Sequence, residues 1–229
     1  MAKKISQRAK GVPSLTDLTN EYNLYGAPYL RWLLAQIKNG VTNQQSYCER
    51  IAKGLHPINA TRVNATWLRF CVINQNQLSK LKTSPRNSHQ KCISSSSING
   101  FVSDLQNSNI LNKSYNDFEQ LYADVNSFKK SGLGDLFIYD ATLRIGFAKQ
   151  IFPSKYVYLH SGALEGAKIL AKRGFLNLRR HTSAPAWKVY GYHRIPTTEF
   201  SNILPGMNSI DIENFLCIAK QYFLKMIVP

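Results

Sequence analysis

A chain of 229 residues, 44% of them hydrophobic, is long enough to bury a substantial core. Its 29 Lys and Arg outweigh 13 Asp and Glu, leaving a formal charge of +16 and a pI near 9.8, so a polyanion is the expected partner. No uninterrupted apolar run approaches the roughly 18 residues of a membrane-spanning helix, and nucleic acid accounts for the charge better than a lipid surface does.

The opening residues, MAKKISQRAK, lack the apolar stretch of a secretory signal, and the chain reads as cytoplasmic. Residues 1–13 read as a basic N-terminal tail, suited equally to solubility and to contact with DNA. Cys48, Cys71, Cys92 and Cys217 are scattered without C-x-x-C or C-x-H spacing, so neither a zinc site nor a disulfide framework is indicated. No metal or cofactor is expected. Neither the P-loop nor the G-x-G-x-x-G pattern occurs, and the carboxylates are not clustered as a two-metal nuclease requires.

Residues 14–73 read as a helical N-terminal part. Ser14 stands before Leu15, Leu18 and Tyr22; Gly26-Ala27-Pro28 reads as a break; and residues 29–38 form a helix with Pro28 in its first turn and Asn39-Gly40 at its end. A further helix runs from Ser46 to Lys53 and closes at Gly54, and another is expected to open at Asn59 or Thr61 and pass through Trp67, Leu68 and Val72. With Arg50, Lys53, Arg62 and Arg69 along it, that pair could be a helix-turn-helix reader, although amphipathic helices with basic outer faces are far commoner. Residues 74–100 are polar, serine-rich and free of acids, and read as a basic loop or linker before the remaining part, 101–229.

That last part is organised around residues 128–148. Upstream, Phe118, Leu121, Tyr122, Val125 and Phe128 recur at helical spacing behind Ser114 as the expected cap; downstream, Phe137, Ala141, Ile145 and Ala148 do the same. Ser131-Gly132-Leu133-Gly134 between them is long enough only for a tight hairpin. An extended segment follows at 152–162, then a helix with Ala163, Leu164, Ala167, Leu170 and Ala171 as its apolar stripe, ended by Gly174. Residues 184–208 carry no clear pattern, and a buried helix from Ile210 to Val228, capped by Ser209, ends the chain. The fold class is therefore mainly α: a helical domain built around the hairpin, with a polar loop insertion.

The order helix, Gly-Leu-Gly hairpin, helix resembles the helix-hairpin-helix motif of DNA-binding proteins. The resemblance implies that Gly132, Leu133 and Gly134 offer main-chain N–H groups to a backbone phosphate, with Leu133 turned into the core. Lys129, Lys130, Lys168, Lys172, Arg173, Arg179 and Arg180 would supply the electrostatic footprint on double-stranded DNA. An ordinary αα-hairpin with capping glycines is the plainer alternative.

With the extended link and the helix after it, residues 114–174 also resemble the helix-hairpin-helix DNA glycosylase superfamily. In that family a catalytic aspartate stands at the start of the helix after the link, where this chain has His160 to Gly162, and bifunctional members carry a lysine after the hairpin, where this chain has Asp135-Leu136. The resemblance therefore implies at most a monofunctional glycosylase, in which His160 or Asp140 orients water or stabilises developing positive charge. His160, at a helix start in a basic field, is expected to have a depressed pKa and to act as a neutral base; the plainer reading is that it hydrogen-bonds the helix start. Asp140 and Arg144, four residues apart, form an expected ion pair, and with Tyr139 and His160 they make the candidate catalytic cluster. Tyr139, Tyr158 or Trp187 could stack on an extruded base. Cys217, inside the run Phe215-Leu216-Cys217-Ile218, reads as an inert buried thiol. A catalytically inactive DNA-binding module, or a basic helical protein that binds RNA or a protein partner, are the alternatives.

Overall fold

Helix α1 (Leu15–Glu21) starts at Ser14, whose hydroxyl accepts the Asp17 N–H at 3.1 Å while the Asp17 carboxylate accepts the Ser14 N–H at 2.9 Å. The computed structural model describes residues 12–58, 60, 62–64, 69–71, 82–85, 93–178, 188–189 and 192–226. The fold is mainly α-helical, and among the described residues no helix is long and apolar enough to cross a membrane.

The expected break at Gly26-Ala27-Pro28 is absent. The chain passes from α1 through a π-helical turn, Tyr22–Gly26, straight into α2 (Ala27–Gln36), and the wider turn, in which the Ala27 N–H reaches back to the Tyr22 carbonyl, stands just before Pro28. Helix α3 (Gln44–Lys53) ends at Gly54 as expected.

The helix expected from Asn59 or Thr61 is replaced by strands. Leu55–Ile58 (β1) pairs antiparallel with Lys82–Pro85 (β4), and Arg62–Asn64 (β2) pairs antiparallel with Arg69–Cys71 (β3). Trp67, Leu68 and Val72 lie outside the described residues. The segment 74–100 is likewise not simply a loop: besides β4, its end is the start of α4 (Ser95–Asn107). The serine run is a helix start, since Ser94 caps α4 by accepting the Ser97 N–H at 3.1 Å, and Ile98, Phe101, Val102 and Leu105 supply the buried stripe.

Helix α5 (Phe118–Ser127) begins a turn later than Ser114 would place it, because Asp117 is the cap, accepting the Gln120 N–H at 3.0 Å. Helix α6 (Asp135–Lys149) follows the hairpin. Then come β5 (Tyr156–Leu159), α7 (Ser161–Lys172), β6 (Lys188–Val189), β7 (Tyr192–Pro196), a 3₁₀ turn at Thr197–Phe200, and α8 (Ser209–Phe223). The strands form an antiparallel sheet in the order β5-β7-β6, with Val157 opposite Ile195. The α8 cap is Asn208, not Ser209: Asn208 accepts the Asp211 N–H at 3.0 Å, and the Ser209 hydroxyl instead bonds to Thr197 at 2.7 Å.

Two apolar cores share this frame. One gathers Ile51, Phe101, Leu105, Phe118, Tyr122, Phe137 and Ile145 from α3 to α6; the other gathers Leu18, Tyr22, Leu170, Phe215, Leu216 and Phe223 from α1, the π-helical turn, α7 and α8. Strand β5 divides them by its own alternation, with Tyr158 in the first core and Val157 and Leu159 in the second. The residue that follows β5 and precedes α7 is therefore delivered to the seam between the cores, and that residue is His160.

Candidate functional site

The hairpin has the expected build. Gly132 adopts φ +82°, and the turn closes by Leu133 N–H donating to the Lys130 carbonyl at 3.0 Å. The Ser97 hydroxyl props it from α4, donating to the Ser131 carbonyl at 2.7 Å. Leu133 is buried in the first core, as expected. Gly134, at φ −73°, caps α6 without a side chain, and a Cβ built there meets nothing within 4 Å. The start of α6 thus has open space before it, with the helix dipole pointing its positive end outward.

Among the described residues, the cations expected around it are partly engaged by other groups. Lys129 pairs with Asp135 at 2.5 Å, and Lys130 pairs with Asp104. Arg173 holds the carbonyls of Met226, at 2.5 Å, and Leu224, which makes it a ligament for the end of the chain. Lys168 and Lys172 are exposed on α7, about 10 and 16 Å along the helix from Ser161 at 1.5 Å per residue, toward the end away from His160. Arg179, Arg180 and Trp187 lie outside the described residues.

At the seam, His160 precedes α7 in extended conformation, with no side-chain bond to the helix start. Its Nε2 is ion-paired with Oε1 of Glu213, on the first turns of α8, and each side chain is only 9% exposed. The expected depressed pKa is reversed. Burial by itself lowers the imidazole pKa, but the Glu213 charge and hydrogen bond, with Asp140 beyond, outweigh it and raise the value above the ordinary 6.5. A neutral base is not what this environment favours; it favours imidazolium.

Tyr139 stands behind, fully buried, its ring centroid 5.7 Å from that of His160, and its phenol pKa is raised by burial and by Glu213 and Asp140. A fully enclosed ring has no face for an extruded base, and Tyr158, equally buried, packs on Tyr139 at 5.4 Å. Asp140 and Arg144 do pair, at 3.4 Å. Arg144 also donates to the carbonyl of Ile51 at 2.7 Å and of Ala52 at 3.4 Å, satisfying the open end of α3. Cys217 is half-buried and lines a cavity, where a buried thiol was expected, and burial and the Glu213 charge push its thiol up to about 11.

Three cavities run through these residues. One of about 310 Å³ extends from Gly134 and Asp135 to His160, Ser161 and His193. Another of about 370 Å³ shares His160 and Ser161 with it and adds Asp140, Glu213, Asn214, Cys217 and Lys220. The third, about 310 Å³, has Asp140, Glu213 and Asn214 in common with the second and reaches Tyr29, His56 and Arg144. The fold therefore gathers Tyr139, Asp140, Arg144 and His160, and one cavity is lined by both His160 and the hairpin's Gly134.

Glu213 is the member that sequence reasoning left out of the cluster. It lies 53 positions after His160 in an apolar helix, and the only available signal was an acid amid Ile210, Ile212, Phe215 and Leu216, where a charge has to find a partner. Among the described residues, no group of three or more His, Cys, Asp or Glu is arranged to hold a metal ion. Comparisons with protein-family models, curated proteins and solved structures gave no match.

Proposed function

We propose that this chain is a DNA-binding protein of helix-hairpin-helix type that grips one backbone phosphate of a duplex at Gly132-Leu133-Gly134. The observation that carries this reading is the hairpin itself: a positive-φ Gly132, a Leu133 anchored in the core, and an α6 start whose cap carries no side chain and faces open space. The formal charge of +16 supports a polyanionic partner.

Gly134→Val tests it. The added side chain has room in the free protein and would stand where the phosphate approaches, so duplex affinity should fall about tenfold or more with the melting temperature little changed. Unchanged affinity in the folded variant would reject the hairpin as the phosphate grip. Affinity should also fall steeply with salt, and a flat salt profile would contradict an electrostatic interface.

A second reading, removal of a base as a monofunctional DNA glycosylase, is favoured by two adjoining cavities, one lined by Gly134 and His160 and the other by His160, Asp140 and Glu213. Duplexes bearing a modified base, incubated with the protein and then cleaved by alkali, test it directly. Alkali-dependent strand breaks would support it, and binding without abasic product across the panel would leave a DNA-binding module.

A further inference from the structure

Two of the cavities share three polar side chains, Asp140, Glu213 and Asn214, which therefore stand at the junction between them. Behind each carboxylate stands a largely buried basic side chain, one from the start of α7 and one from the same helix as its carboxylate. His160 backs Glu213, and Arg144, with a 15% exposed side chain, backs Asp140 at 3.4 Å. The two backings differ in kind: Arg144 carries a permanent charge, whereas the charge on His160 comes and goes with a proton. A pair of carboxylates held in two such environments is what acid–base cleavage of a glycosidic bond uses.

We propose that Glu213 and Asp140 are the catalytic pair of an N-glycosidic hydrolase site, with His160 and Arg144 as positioning residues behind them. The inference rests on the base-excision reading above and replaces His160 by Glu213 as the group that meets the substrate. In the step, the bond from C1′ to the base nitrogen breaks and its electron pair goes to the base, which takes a proton from the Glu213–His160 pair. Water adds its oxygen to C1′ and gives a proton to the Asp140 carboxylate, and proton exchange with solvent restores both groups. One water is consumed, and a free base and an abasic sugar are formed. Asn214, which lines the same cavity, donates its amide N–H to the Tyr22 hydroxyl at 3.2 Å and is held there by it.

The charges that act on His160 are those of Glu213 from α8 and Asp140 from α6; Cys217 and Lys220 from α8, Asp135 from α6, Glu165 from α7 and His193 from β7 line the same cavities, and the Tyr139 ring lies 5.7 Å away. The test uses the full chain and short duplexes carrying a single uracil, hypoxanthine or 8-oxoguanine, read after alkali. The wild type should release base from one of them. Glu213→Gln and Asp140→Asn should each lower the single-turnover rate about 100-fold or more, with duplex affinity within about twofold. Glu213→Asp should recover part of that loss, and His160→Gln should shift the pH–rate profile and lower the rate less than Glu213→Gln does. A wild-type rate in Glu213→Gln overturns the inference and leaves base excision standing. If burial prevents that variant from folding, a wild-type rate in Asp140→Asn, whose side chain is more exposed, overturns it equally. No product from the wild type on any of the three duplexes overturns both the inference and the reading beneath it.

Discussion

Arg144 reaches out of α6 and donates to the main-chain carbonyl of Ile51 at 2.7 Å, tying the second helix of the hairpin to the C-terminal end of α3, 93 residues earlier. Its ion pair with Asp140 at 3.4 Å, looser than the carbonyl contact, orients the guanidinium. Removing it leaves a half-buried carboxylate and the α3 carbonyls without their donor. Arg144→Met should therefore lower stability by about 2–4 kcal/mol in urea unfolding, far beyond the few tenths of an exposed helical ion pair. A loss below about 0.5 kcal/mol would show that the contact is not part of the fold's support.

The two hairpin glycines differ in what they require. Gly132 sits at φ +82°, where any L side chain is strained, so Gly132→Ala should cost about 1–2 kcal/mol. Gly134 has an ordinary φ and an open site, and Gly134→Ala should leave stability within about 0.5 kcal/mol of wild type. Thermal unfolding of the two variants side by side checks the contrast. Equal losses would mean that the turn is held differently.

Gly166 marks the closest approach of α7 to α8. A Cβ there would stand 2.2 Å from the carbonyl oxygen of Leu216, a backbone atom that cannot swing aside. Gly166→Ala should force the helices apart and destabilise the protein by about 1–3 kcal/mol despite the better helix propensity of alanine, as denaturant titration would reveal.

How much of this was legible in the sequence depended on whether a signal was local. Apolar spacing and Gly132-Leu133-Gly134 were enough to place α5, the turn and α6, because helix period and positive-φ glycine are properties of a few neighbouring residues. Caps were misplaced by a residue or by a turn where two candidates competed: Asp117 prevailed over Ser114, and Asn208 over Ser209, whose hydroxyl found Thr197 instead. The strands at Leu55–Ile58 and Lys82–Pro85 were missed because their partners lie far apart in the chain and pairing, not propensity, decides such short segments. The Glu213–His160 contact was hidden for the same reason, and with it the sign of the His160 shift: position at a helix start argued for a depressed pKa, and a carboxylate from α8 reversed it.

That reversal has a thermodynamic consequence. Because the folded protein holds the His160 proton more tightly than the unfolded chain, the contribution of the pair is fully present below the ordinary value of 6.5 and is lost as pH rises through the raised folded value. The melting temperature of the wild type should therefore fall relative to that of Glu213→Gln as pH rises above 6.5. A difference that stays constant with pH would show that His160 titrates alike in both.

Asp135 and Lys129, paired at 2.5 Å, set the hairpin's own electrostatics. The carboxylate lies in the first turn of α6, where it is stabilised by the helix dipole and where a phosphate would come for the same reason. A duplex must displace that ion pair or tolerate its negative charge. Asp135→Asn removes the competitor and frees Lys129, so duplex affinity should rise about threefold to tenfold at low salt, and the gain should shrink as salt screens it. The cost in stability should be small, about 0.5 kcal/mol, as for other exposed ion pairs. Fluorescence anisotropy with a labelled duplex at two salt concentrations measures both effects. Unchanged binding by Asp135→Asn at low salt would place the carboxylate outside the phosphate's path, and with it the interface away from the hairpin.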